Sequence, residues 1–375
     1  MSHGATAIRV DLVDPSAFTA PYDHALAAAL ARAGAQVRLI TSRFAYGSAA
    51  APDGYERREE FYRRVRGAPG SRTRAACKAV AHAPNMMRLR HIVHQADVVH
   101  FQWLAIPAID RQLLPMRPLV LTAHDLLPRE PRPGQLRAHR RLLEQMEAVI
   151  VHSEYGRRTL IAASGVDEGR VHVIRHGAFT HLTEVAPGPL PPELPDPKLP
   201  VVLCFGLLRP YKGLDTLLEA WRGVRGAELW IVGRPLGVDA AALTAAAPPG
   251  VRILPRFVDD AEQAALFRRA DVVVLPYART ERFDFSGVLA TALAFARPIV
   301  LSDVGGFPEV AAAGAARLVP AGDPGELAGA LGELLTDPAA RERLAAGARS
   351  AALGEWSWDT VARRTLELYA TILAA

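Results

Sequence analysis

The chain has 375 residues, of which 50% are hydrophobic, and a formal net charge of +5. This length predicts two domains of ordinary size. The charge is too small to indicate a nucleic-acid-binding protein, because no basic motif with interleaved aromatic residues accompanies it. The two cysteines, Cys77 and Cys204, form no disulfide framework and favour a reducing cytoplasm. Arginine far outnumbers lysine, 41 to 3, as is typical of high-GC genomes such as those of actinobacteria.

Short apolar strands alternate with helical patterns in the first half. Strands are predicted at residues 7–13, 36–41, 97–101, 118–122, 148–152 and 171–174, and helices at residues 22–33 and 153–164. Strands separated by helices indicate right-handed βαβ units and a parallel sheet. Residues 1–185 are therefore expected to form an N-terminal Rossmann-like domain. The first residues lack the apolar run of a signal peptide, and no transmembrane helix is predicted.

A basic segment, residues 57–90, interrupts this alternation. It holds ten arginines and lysines but only two acidic residues, Glu59 and Glu60. One interpretation is the solvated face of a helix. The other is a site for an anionic membrane surface or an anionic acceptor, although the segment lacks the aromatic anchors of a membrane-surface helix.

A proline-rich segment, residues 186–200, follows the first half. Seven of its fifteen residues are proline, which can neither join the interior of a sheet nor continue a helix. We expect a semi-rigid, extended linker between two domains.

The second half repeats the alternation more clearly. Strands are predicted at residues 201–205, 228–232, 251–254, 272–275, 299–302 and 316–319, with helices between them that include residues 261–269, 287–296 and 324–335. Residues 201–357 should form a second Rossmann-like domain, and residues 358–375 hold an amphipathic helix. The predicted fold class is α/β, with two such domains facing each other across a cleft.

The loop FGLLRPYKG, residues 205–213, carries the strongest chemical signal. Gly206 ends a buried strand, and Arg209 and Lys212 follow in a tight loop before a helix. Ligands of α/β proteins bind at the carboxyl ends of parallel strands, and two cations there suit a diphosphate. Lys212 is also one of only three lysines in the chain.

A second phosphate signal lies about seventy residues further along, at Asp284, Ser286 and Gly287. Ser286 is a good N-cap, and Gly287 lets a ligand approach the backbone at the start of a helix. Such a helix start attracts phosphate, although an ordinary capped helix is the alternative interpretation. Together with Arg209 and Lys212, it predicts the two halves of a diphosphate clamp.

Several side chains of the first half should face the cleft. His124 follows the strand at residues 118–122, and His100 is a weaker candidate of the same kind. Tyr22, Asp23 and His24 lie between the first predicted strand and helix, where they could meet an acceptor; an ordinary helix cap at Asp23 is the alternative.

Familiar metal and cofactor patterns do not occur. No DxD follows a strand, no Cys or His spacing matches zinc, and neither GxGxxG, a P-loop nor a GxSxG elbow is found. We therefore expect no metal and no cofactor.

The order of four blocks in the second half carries a family resemblance: FGLLRPYKGLDTLLEAW, ELWIVG, RFVDDAEQAALFRRADVVVLPY and SGVLATALAFARPIVLSDVGGFPEV. The first half adds PYDHALAAALARAGAQVRLITS, VVHFQW and LTAHD. Together these blocks resemble the retaining sugar-nucleotide glycosyltransferases of the GT-B fold, and family 4 within it. The resemblance covers most of the chain.

The resemblance implies a role for each matching residue. Arg209 and Lys212 would neutralise the donor diphosphate, with Arg209 replacing an arginine usual at the position of Leu207, and His124 would bind a hydroxyl of the transferred sugar. The donor site would comprise Gly206, Arg234, Arg256, Phe257, Val258, Asp284, Ser286, Gly287, Val288, Leu289 and Thr291. The acceptor site would comprise Tyr22, Asp23, Gln102 and Trp103. The last helix would pack on the first domain.

The chain departs from the family at a pair of glutamates, E-x7-E. Phe283 and Thr291 occupy these two positions, and neither is acidic. Glu281 or Asp284 is a candidate substitute for the first glutamate, and Thr291 offers a weaker hydrogen bond to the nucleotide ribose. The nucleotide preference is therefore left open.

The resemblance implies an enzyme that moves a sugar from a nucleoside-diphosphate donor to a hydroxyl with retained configuration and without a metal. Three alternatives stay open: an inverting transferase with Asp23 or His24 as base, a non-catalytic relative that binds a sugar nucleotide or a partner, and a phosphorylase or epimerase of the same fold. The acceptor is a natural product, a saccharide or a lipid-linked molecule, so contact with a membrane surface also stays open.

Overall fold

The computed structural model describes residues 7–45, 49–68, 70–128, 134–186, 188–195, 197–280 and 284–375. By its internal contacts the chain divides into two compact units. Unit 1 comprises Met1–Gly177, Arg282–Asp284 and Trp358–Ala375, and unit 2 comprises Ala178–Glu281 and Phe285–Ser357. The described part of the proline-rich segment thus belongs to unit 2.

Unit 1 is built on a seven-stranded parallel sheet. Its strands are β1 (Arg9–Asp14), β2 (Gln36–Ser42), β3 (Glu56–Phe61), β4 (Val98–Phe101), β5 (Leu119–Thr122), β6 (Ala148–Val151) and β7 (Val171–Val173), in the order β3-β2-β1-β4-β5-β6-β7. Its helices include α1 (Ala20–Arg32), α2 (Arg72–Ile92), α3 (Pro107–Leu113), α4 (Gln135–Leu143) and α5 (Glu154–Ser164). Strands β4, β5 and β6 are buried along their whole length, as expected of a parallel sheet covered on both faces.

Two predictions about unit 1 are wrong. The basic segment is not a helical face throughout, because Glu56–Phe61 forms β3, which pairs only with β2 at the sheet edge. An edge strand carries charges that an interior parallel strand would not. The sequence of β3, ERREEF, therefore lacks the apolar pattern by which the other strands were predicted. Helix α1 begins at Ala20, two residues before the predicted start, with Pro in its first turn. The helix predicted at residues 22–33 is thus present, and the prediction that Tyr22, Asp23 and His24 lie in the loop before it is wrong.

Unit 2 holds a six-stranded parallel sheet with every predicted strand. The strands are β8 (Val201–Phe205), β9 (Glu228–Val232), β10 (Val251–Leu254), β11 (Val272–Leu275), β12 (Ile299–Ser302) and β13 (Arg317–Val319), in the order β10-β9-β8-β11-β12-β13. The helices include α6 (Leu214–Trp221), α7 (Ala240–Ala246), α8 (Asp260–Arg269), α9 (Gly287–Ala294), α10 (Phe307–Ala312), α11 (Pro324–Thr336) and α12 (Pro338–Leu353). Cys204 is buried in this core, as predicted.

The final helix, α13 (Trp358–Ala374), belongs to unit 1, where it packs against α1. Its Tyr369 is fully buried, and the phenol oxygen lies 2.7 Å from Nδ1 of His100 in β4. Of the helices in the described ranges, none combines the length and the apolar character needed to cross a membrane.

In each sheet the strand order reverses once. In unit 1 the reversal lies between β1 and β4, and in unit 2 between β8 and β11. Loops that leave neighbouring strands in opposite directions at such a point open a crevice at the carboxyl edge of the sheet. A ligand-binding site is therefore expected at the residues that follow β1, β4, β8 and β11.

Candidate functional site

The loop after β8 is shaped by two glycines. Gly206 has φ +102°, and a Cβ there would lie 2.8 Å from Cγ2 of Val288. Gly213 has φ +66°, and its Cβ would lie 1.8 Å from the carbonyl oxygen of Pro276. Only glycine fits both positions. The loop after β8 is thereby held against the residues that follow β11, on the neighbouring strand.

Lys212 sits inside this loop, at the end of a 3-10 turn formed by Pro210–Lys212, and is only 5% exposed. Its ammonium donates a hydrogen bond to the hydroxyl of Tyr277 and lies 4.2 Å from the centroid of that ring. The same hydroxyl lies 3.0 Å from Oγ of Ser286. Tyr277 thus connects the lysine to the start of α9. Burial raises the pKa of Tyr277 well above its ordinary value, so the phenol is neutral.

The start of α9 differs from its prediction in one respect. Ser286 occupies the N-cap position, but its side chain accepts no hydrogen bond from the helix. Its hydroxyl contacts Tyr277 instead. The side chain of Ser286 therefore leaves the first amides of α9, at Gly287, Val288 and Leu289, uncapped, and these amides carry the positive end of the helix dipole.

Arg209, in this loop, and Arg234, in the loop after β9, are both half-buried. Arg209 precedes the 3-10 turn, and the carbonyl oxygen of Arg234 accepts the amide hydrogen of Leu208 at 3.0 Å. This bond and its neighbour, from the amide of Leu236 to the carbonyl of Leu208, join the two loops that follow β8 and β9.

The next predicted donor contacts follow β10. The guanidinium of Arg256 pairs with Glu193 at 3.1 Å and with Glu262 at 2.7 Å, and these carboxylates raise its pKa. Phe257 is 53% exposed, whereas Val258 is buried. Of these three side chains, that of Phe257 is the most exposed, and that of Arg256 is 36% exposed.

Thr291 is buried in the second turn of α9. Its hydroxyl donates to the carbonyl oxygen of Gly287 at 2.9 Å and lies 3.5 Å from the side-chain nitrogen of Gln263. The hydroxyl is thus already used within the helix.

Asp284 belongs to unit 1 by its contacts. Its Oδ2 accepts the amide hydrogen of His152 at 2.6 Å, and its Oδ1 accepts from the hydroxyl of Ser153. A Cβ at Gly156 would lie 2.6 Å from this carboxyl group. The carboxylate therefore holds the start of α5. Glu281 and Phe283 lie outside the described residues.

Four imidazoles gather in unit 1 at the carboxyl ends of four neighbouring strands. We call this set, His100, His124, His152 and His176, the histidine cluster. They lie at the ends of β4, β5, β6 and β7, respectively. The ring of Tyr22 packs among them, with centroids 4.7 Å from His124, 5.6 Å from His152 and 4.9 Å from His176. The ring of Trp358 in α13 also contacts the ring of Tyr22, with centroids 5.1 Å apart.

Hydrogen bonds fix the tautomers along this cluster. Nδ1 of His152 donates to the carbonyl oxygen of Ile174 at 3.0 Å, so its Nε2 accepts from Nδ1 of His124 at 3.5 Å. Nε2 of His124 is then an acceptor, and it lies 3.1 Å from the side-chain amide of Gln102, at the atom assigned as Oε1. The hydrogen bonds of this row of side chains are complete when the amide is turned so that Nε2 of Gln102 donates to Nε2 of His124. In its assigned orientation that nitrogen has no hydrogen-bond partner within the described residues.

The cluster is neutral at pH 7. Burial lowers the pKa of His100 and of His176 to about 3 and that of His152 to about 4. Burial, together with the neighbouring imidazoles, lowers the pKa of His124 well below its ordinary value. His124 is therefore suited to hydrogen bonding with a neutral hydroxyl rather than to holding a charge.

A cavity of about 370 Å³ opens beside His124 in unit 1. Its lining includes Phe18, Gln102, Trp103, His124 and Leu127. The Trp103 ring stacks on His124, with centroids 5.7 Å apart, and its Nε1 donates to Oγ1 of Thr19 at 3.2 Å. The structure thus brings together three predicted residues, Gln102, Trp103 and His124, in one pocket with aromatic walls.

Tyr22 and Asp23 lie beneath this pocket and do not line it. Asp23 is 1% exposed, and its Oδ1 accepts from Thr19 at 3.1 Å. Burial and the nearby carboxylate of Asp14 raise the pKa of Asp23 well above its ordinary value. His24 lies 2.9 Å from the hydroxyl of Tyr55, and burial lowers its pKa. Neither candidate base lines the pocket.

Comparison with known proteins decides the family. Residues 22–181 match the family model described as Glycosyltransferase Family 4, and residues 199–337 match the one described as Glycosyl transferases group 1. The chain is a family 4-like glycosyltransferase. Together the two matches include the loops after β4, β5, β8 and β11, in which the candidate side chains lie.

Curated relatives of this glycosyltransferase include a phosphatidyl-myo-inositol mannosyltransferase from Mycobacterium leprae, 38% identical over 169 residues, which are 44% of each chain. A D-inositol 3-phosphate glycosyltransferase from Kineococcus radiotolerans is 29% identical over 271 residues, which cover 63% of this chain and 60% of the relative. The chain thus spans about half the length of the curated relatives it matches.

Two solved structures show the same fold. Anabaena HepE in complex with UDP matches with a TM-score of 0.72 and 19% identity over 97% of this chain and 100% of that one. Sucrose-phosphate synthase from Thermosynechococcus elongatus matches with a TM-score of 0.72 and 19% identity over 98% and 100%. The predicted GT-B class, two Rossmann-like domains, is confirmed.

Sequence reasoning missed three residues of the candidate site in this glycosyltransferase, namely Tyr277, His152 and His176. Tyr277 follows β11 directly, yet its role depends on the neighbouring loop, which is 65 positions away in sequence. His152 and His176 each follow a strand, as His124 does, and this repeated position was the available signal. Within the described ranges, no group of three or more His, Cys, Asp or Glu side chains is arranged to hold a metal ion.

Proposed function

We propose that this chain is a glycosyltransferase that moves a sugar from a nucleoside-diphosphate sugar to a hydroxyl group of an acceptor. The observation that carries the proposal is the buried ammonium of Lys212, joined through Tyr277 to the start of α9, which Ser286 leaves uncapped. All of these groups belong to unit 2. A positive side chain and a positive helix end side by side favour a ligand with two adjacent negative groups, as in a diphosphate.

The proposed chemistry follows from this placement. The bond between the anomeric carbon and the diphosphate oxygen breaks, and its electron pair stays on the diphosphate. Lys212 and the first amides of α9 stabilise that developing charge without reorganising, because Tyr277 links them in advance. Arg209, from the same loop, adds a second positive charge in this scheme. The acceptor oxygen bonds to the anomeric carbon, and its proton passes to the departing diphosphate. No metal takes part in this scheme.

Retention of configuration is the outcome that the site favours. Inversion needs a protein base on the acceptor side. Asp23 is 1% exposed and His24 is bonded to Tyr55, and neither lines the pocket, so neither is placed to take a proton from an acceptor. A proton acceptor on the leaving group itself requires no protein base. The inverting alternative is therefore disfavoured, and product stereochemistry tests it.

Unit 1 supplies the sugar and acceptor contacts in this proposal. His124 is neutral and borders a pocket walled by Phe18 and Trp103. Aromatic faces of this kind suit the apolar faces of sugar rings, and a neutral imidazole suits a hydroxyl. The solved structures of Anabaena HepE contain UDP, UDP with glucose, or UDP-glucose, which supports a nucleotide sugar as donor here too.

We also propose that the reaction takes place in the cytoplasm. Both cysteines are free thiols; Cys204 is buried and Cys77 is partly exposed. Unpaired cysteines are typical of a reducing compartment. Contact with a membrane surface stays a prediction.

A donor screen tests the proposed activity. Purified protein is incubated with UDP-, GDP-, ADP- and dTDP-sugars and a small library of hydroxyl acceptors, and products are detected by mass. Proton NMR of the product then reports its anomeric configuration. We expect one sugar added with the configuration of the donor. Inverted product would contradict the retaining scheme, and calorimetry showing no binding of any sugar nucleotide would favour a non-catalytic relative.

A further inference from the structure

A second group of buried polar side chains lies in unit 1, distinct from the histidine cluster. It begins at Tyr62, the residue after β3, and continues through His82 of α2 to Asp110 of α3. The hydroxyl of Tyr62 lies 2.7 Å from Nδ1 of His82, and Nε2 of the same ring lies 2.5 Å from Oδ1 of Asp110. His82 and Asp110 have no exposed surface. We call these three side chains the buried network.

Hydrogen bonds run through this network without a gap. Burial raises the pKa of Tyr62 to about 12, so its hydroxyl keeps the hydrogen that Nδ1 of His82 accepts. The ring hydrogen of His82 then lies on Nε2, which donates to Oδ1 of Asp110. The second carboxyl oxygen of Asp110, Oδ2, accepts the amide hydrogen of Ile106 at 2.7 Å. The network therefore joins the end of β3 to the residue that precedes α3.

The backbone of Tyr62, at one end of the network, is held in an unfavourable conformation. Its φ is +54°, in the left-handed region that a residue with a Cβ rarely adopts. Such a conformation persists where the surrounding contacts enforce it. The amide of Tyr62 donates to Oδ1 of Asn85 at 3.0 Å, and the hydroxyl contacts His82, about one turn earlier on the same helix. Helix α2 therefore fixes Tyr62 at two points.

The other end of the network meets a loop that walls the pocket beside His124. This loop, residues 102–106, joins β4 to α3. Its first end is fixed by the amide of Gln102, which donates to the carbonyl oxygen of Val13 at 2.8 Å. Its last end is fixed where Ile106 donates to Asp110. Four of the five loop residues line the pocket: Gln102, Trp103, Leu104 and Ala105.

Stability alone does not account for a polar pair in this place. Burying an imidazole and a carboxyl group removes both from water, and apolar side chains of similar size are often as stable or more stable. Hydrogen bonds do, however, define the position of Asp110, and hence of the amide of Ile106, more narrowly than apolar contacts would. The loop also carries Trp103, which stacks on His124 with centroids 5.7 Å apart. A shift at Ile106 therefore alters the wall of the pocket.

We propose that His82 and Asp110 are positioning residues for the pocket of unit 1, which they shape by fixing the loop at residues 102–106. Neither side chain lines the pocket, so both act through the loop and its Trp103. The effect on sugar transfer rests on the proposed function, whereas the effect on the loop does not.

The fluorescence of Trp103 measures the position of the loop without any turnover. Acrylamide quenching is recorded for each protein with and without a further Trp103→Phe substitution, and the difference isolates this side chain among the five tryptophans. Asp110→Ala removes the acceptor of the Ile106 amide, so we expect faster quenching and a red-shifted emission of Trp103. Asp110→Asn keeps an oxygen for that amide and should restore the values of the wild type. Unchanged quenching in Asp110→Ala would overturn the proposal.

A paired substitution separates positioning from stability. His82→Leu with Asp110→Val replaces the buried polar pair by apolar side chains of comparable size. The matched control is Arg38→Met with Asp11→Val, which removes a 2.6 Å ion pair between β2 and β1 in the same way. We expect altered quenching of Trp103 in the first protein alone, and equal changes in both would contradict the proposal.

Tyr62→Phe takes the place of the apolar pair should that protein not fold, because it keeps the ring and removes only the hydroxyl. A change of Trp103 quenching in the same direction as in Asp110→Ala supports the network. Quenching identical to that of the wild type contradicts it.

Transfer is measured last, with the acceptor that gives product in the donor screen. In Asp110→Ala, kcat/KM for the acceptor should fall about 10- to 100-fold, because a wall of the pocket is misplaced. Calorimetric binding of UDP or GDP should stay as in the wild type, and Asp110→Asn should recover most of the lost transfer. An unchanged kcat/KM, or a parallel fall in nucleotide binding, would contradict the positioning role. A wild type without product would contradict the proposed function and leave the fluorescence result standing.

Discussion

The ammonium of Lys212 donates to the hydroxyl of Tyr277 and lies 4.2 Å from the centroid of the same ring. One aromatic side chain therefore sets both the direction and the depth of the lysine. Because the same hydroxyl lies 3.0 Å from Oγ of Ser286, it also keeps that side chain away from the cap of α9. Tyr277 thus positions both parts of the proposed diphosphate site without itself needing to touch the ligand.

Substitution of Tyr277 by Phe tests this positioning role. The variant keeps the buried ring but removes the hydroxyl. Lys212 therefore loses its hydrogen bond to that hydroxyl, and the side chain of Ser286 can turn to cap α9. We expect kcat/KM for the donor to fall by about 10-fold, which corresponds to about 1.4 kcal/mol, with the protein still folded. Steady-state kinetics with varied donor measure this fall. Tyr211→Phe, on the same loop, is the matched control, and an equal loss in both variants would contradict the assignment to Tyr277.

The contact between Asp284 and the start of α5 predicts a sharp difference between two Gly→Ala substitutions. A Cβ at Gly156 would lie 2.6 Å from the carboxyl of Asp284, so Gly156→Ala must displace a carboxylate bonded to His152 and Ser153. We expect a loss of about 2 kcal/mol or more in the free energy of unfolding, because hydrogen bonds to a buried charge are broken. Chemical denaturation measures it.

The matched control for that substitution is Gly329→Ala in α11, where nothing lies within 4 Å of the added methyl group. Replacing a helical glycine by alanine there should leave stability unchanged or raise it by about 0.4–1 kcal/mol. A Gly156→Ala protein as stable as Gly329→Ala would show that Asp284 does not pack against α5.

The histidine cluster predicts loss of stability in mild acid. The pKa values of His100, His152 and His176 are lowered from 6.5 to about 3, 4 and 3. The unfolded chain therefore binds more protons than the folded chain below pH 6.5. Stability is complete above that pH and falls as the pH drops toward 4, by up to about 1.4 kcal/mol per pH unit for each histidine.

Urea unfolding at several pH values between 8 and 4.5 measures this dependence. In His100→Asn the number of protons taken up on unfolding in acid should fall by about one, so stability should depend less steeply on pH. His91→Asn, at an exposed position in α2, should keep the full dependence. A slope that is the same in His100→Asn and in the wild type would contradict the neutral, buried state of the cluster.

Asp23→Asn separates the retaining scheme from an inverting one. The carboxyl group is buried next to Asp14, and burial raises its pKa well above the ordinary value, which favours the neutral form that an amide resembles. We expect transfer to continue at a rate within a few-fold of the wild type, in assays with donor and acceptor saturating. Loss of transfer by about 100-fold or more, with donor binding intact, would indicate that Asp23 is a general base.

Much of the fold follows directly from sequence, because the strands of a covered parallel sheet are short apolar runs. β4, β5, β8 and β11 are of this kind. β3 is different: a charged strand paired on one side has no such signature. The start of α1 was also placed too late, because the proline in its first turn resembles a loop residue.

The candidate site was only partly accessible to sequence reasoning. Lys212 and Ser286 could be placed because each follows a strand and precedes a helix. Tyr277 could not be placed, because its contact with Lys212 depends on β8 and β11 being neighbours in the sheet.

Binding of nucleoside diphosphates to Lys212→Ala tests the central proposal most directly. UDP and GDP are titrated by calorimetry into the wild type, into Lys212→Ala and into Lys198→Ala, which removes an exposed lysine elsewhere in unit 2. Loss of a charge-assisted contact predicts about 10- to 100-fold weaker binding to Lys212→Ala and no change in Lys198→Ala. Equal affinity of both variants for the nucleotide that the wild type binds would contradict the diphosphate site.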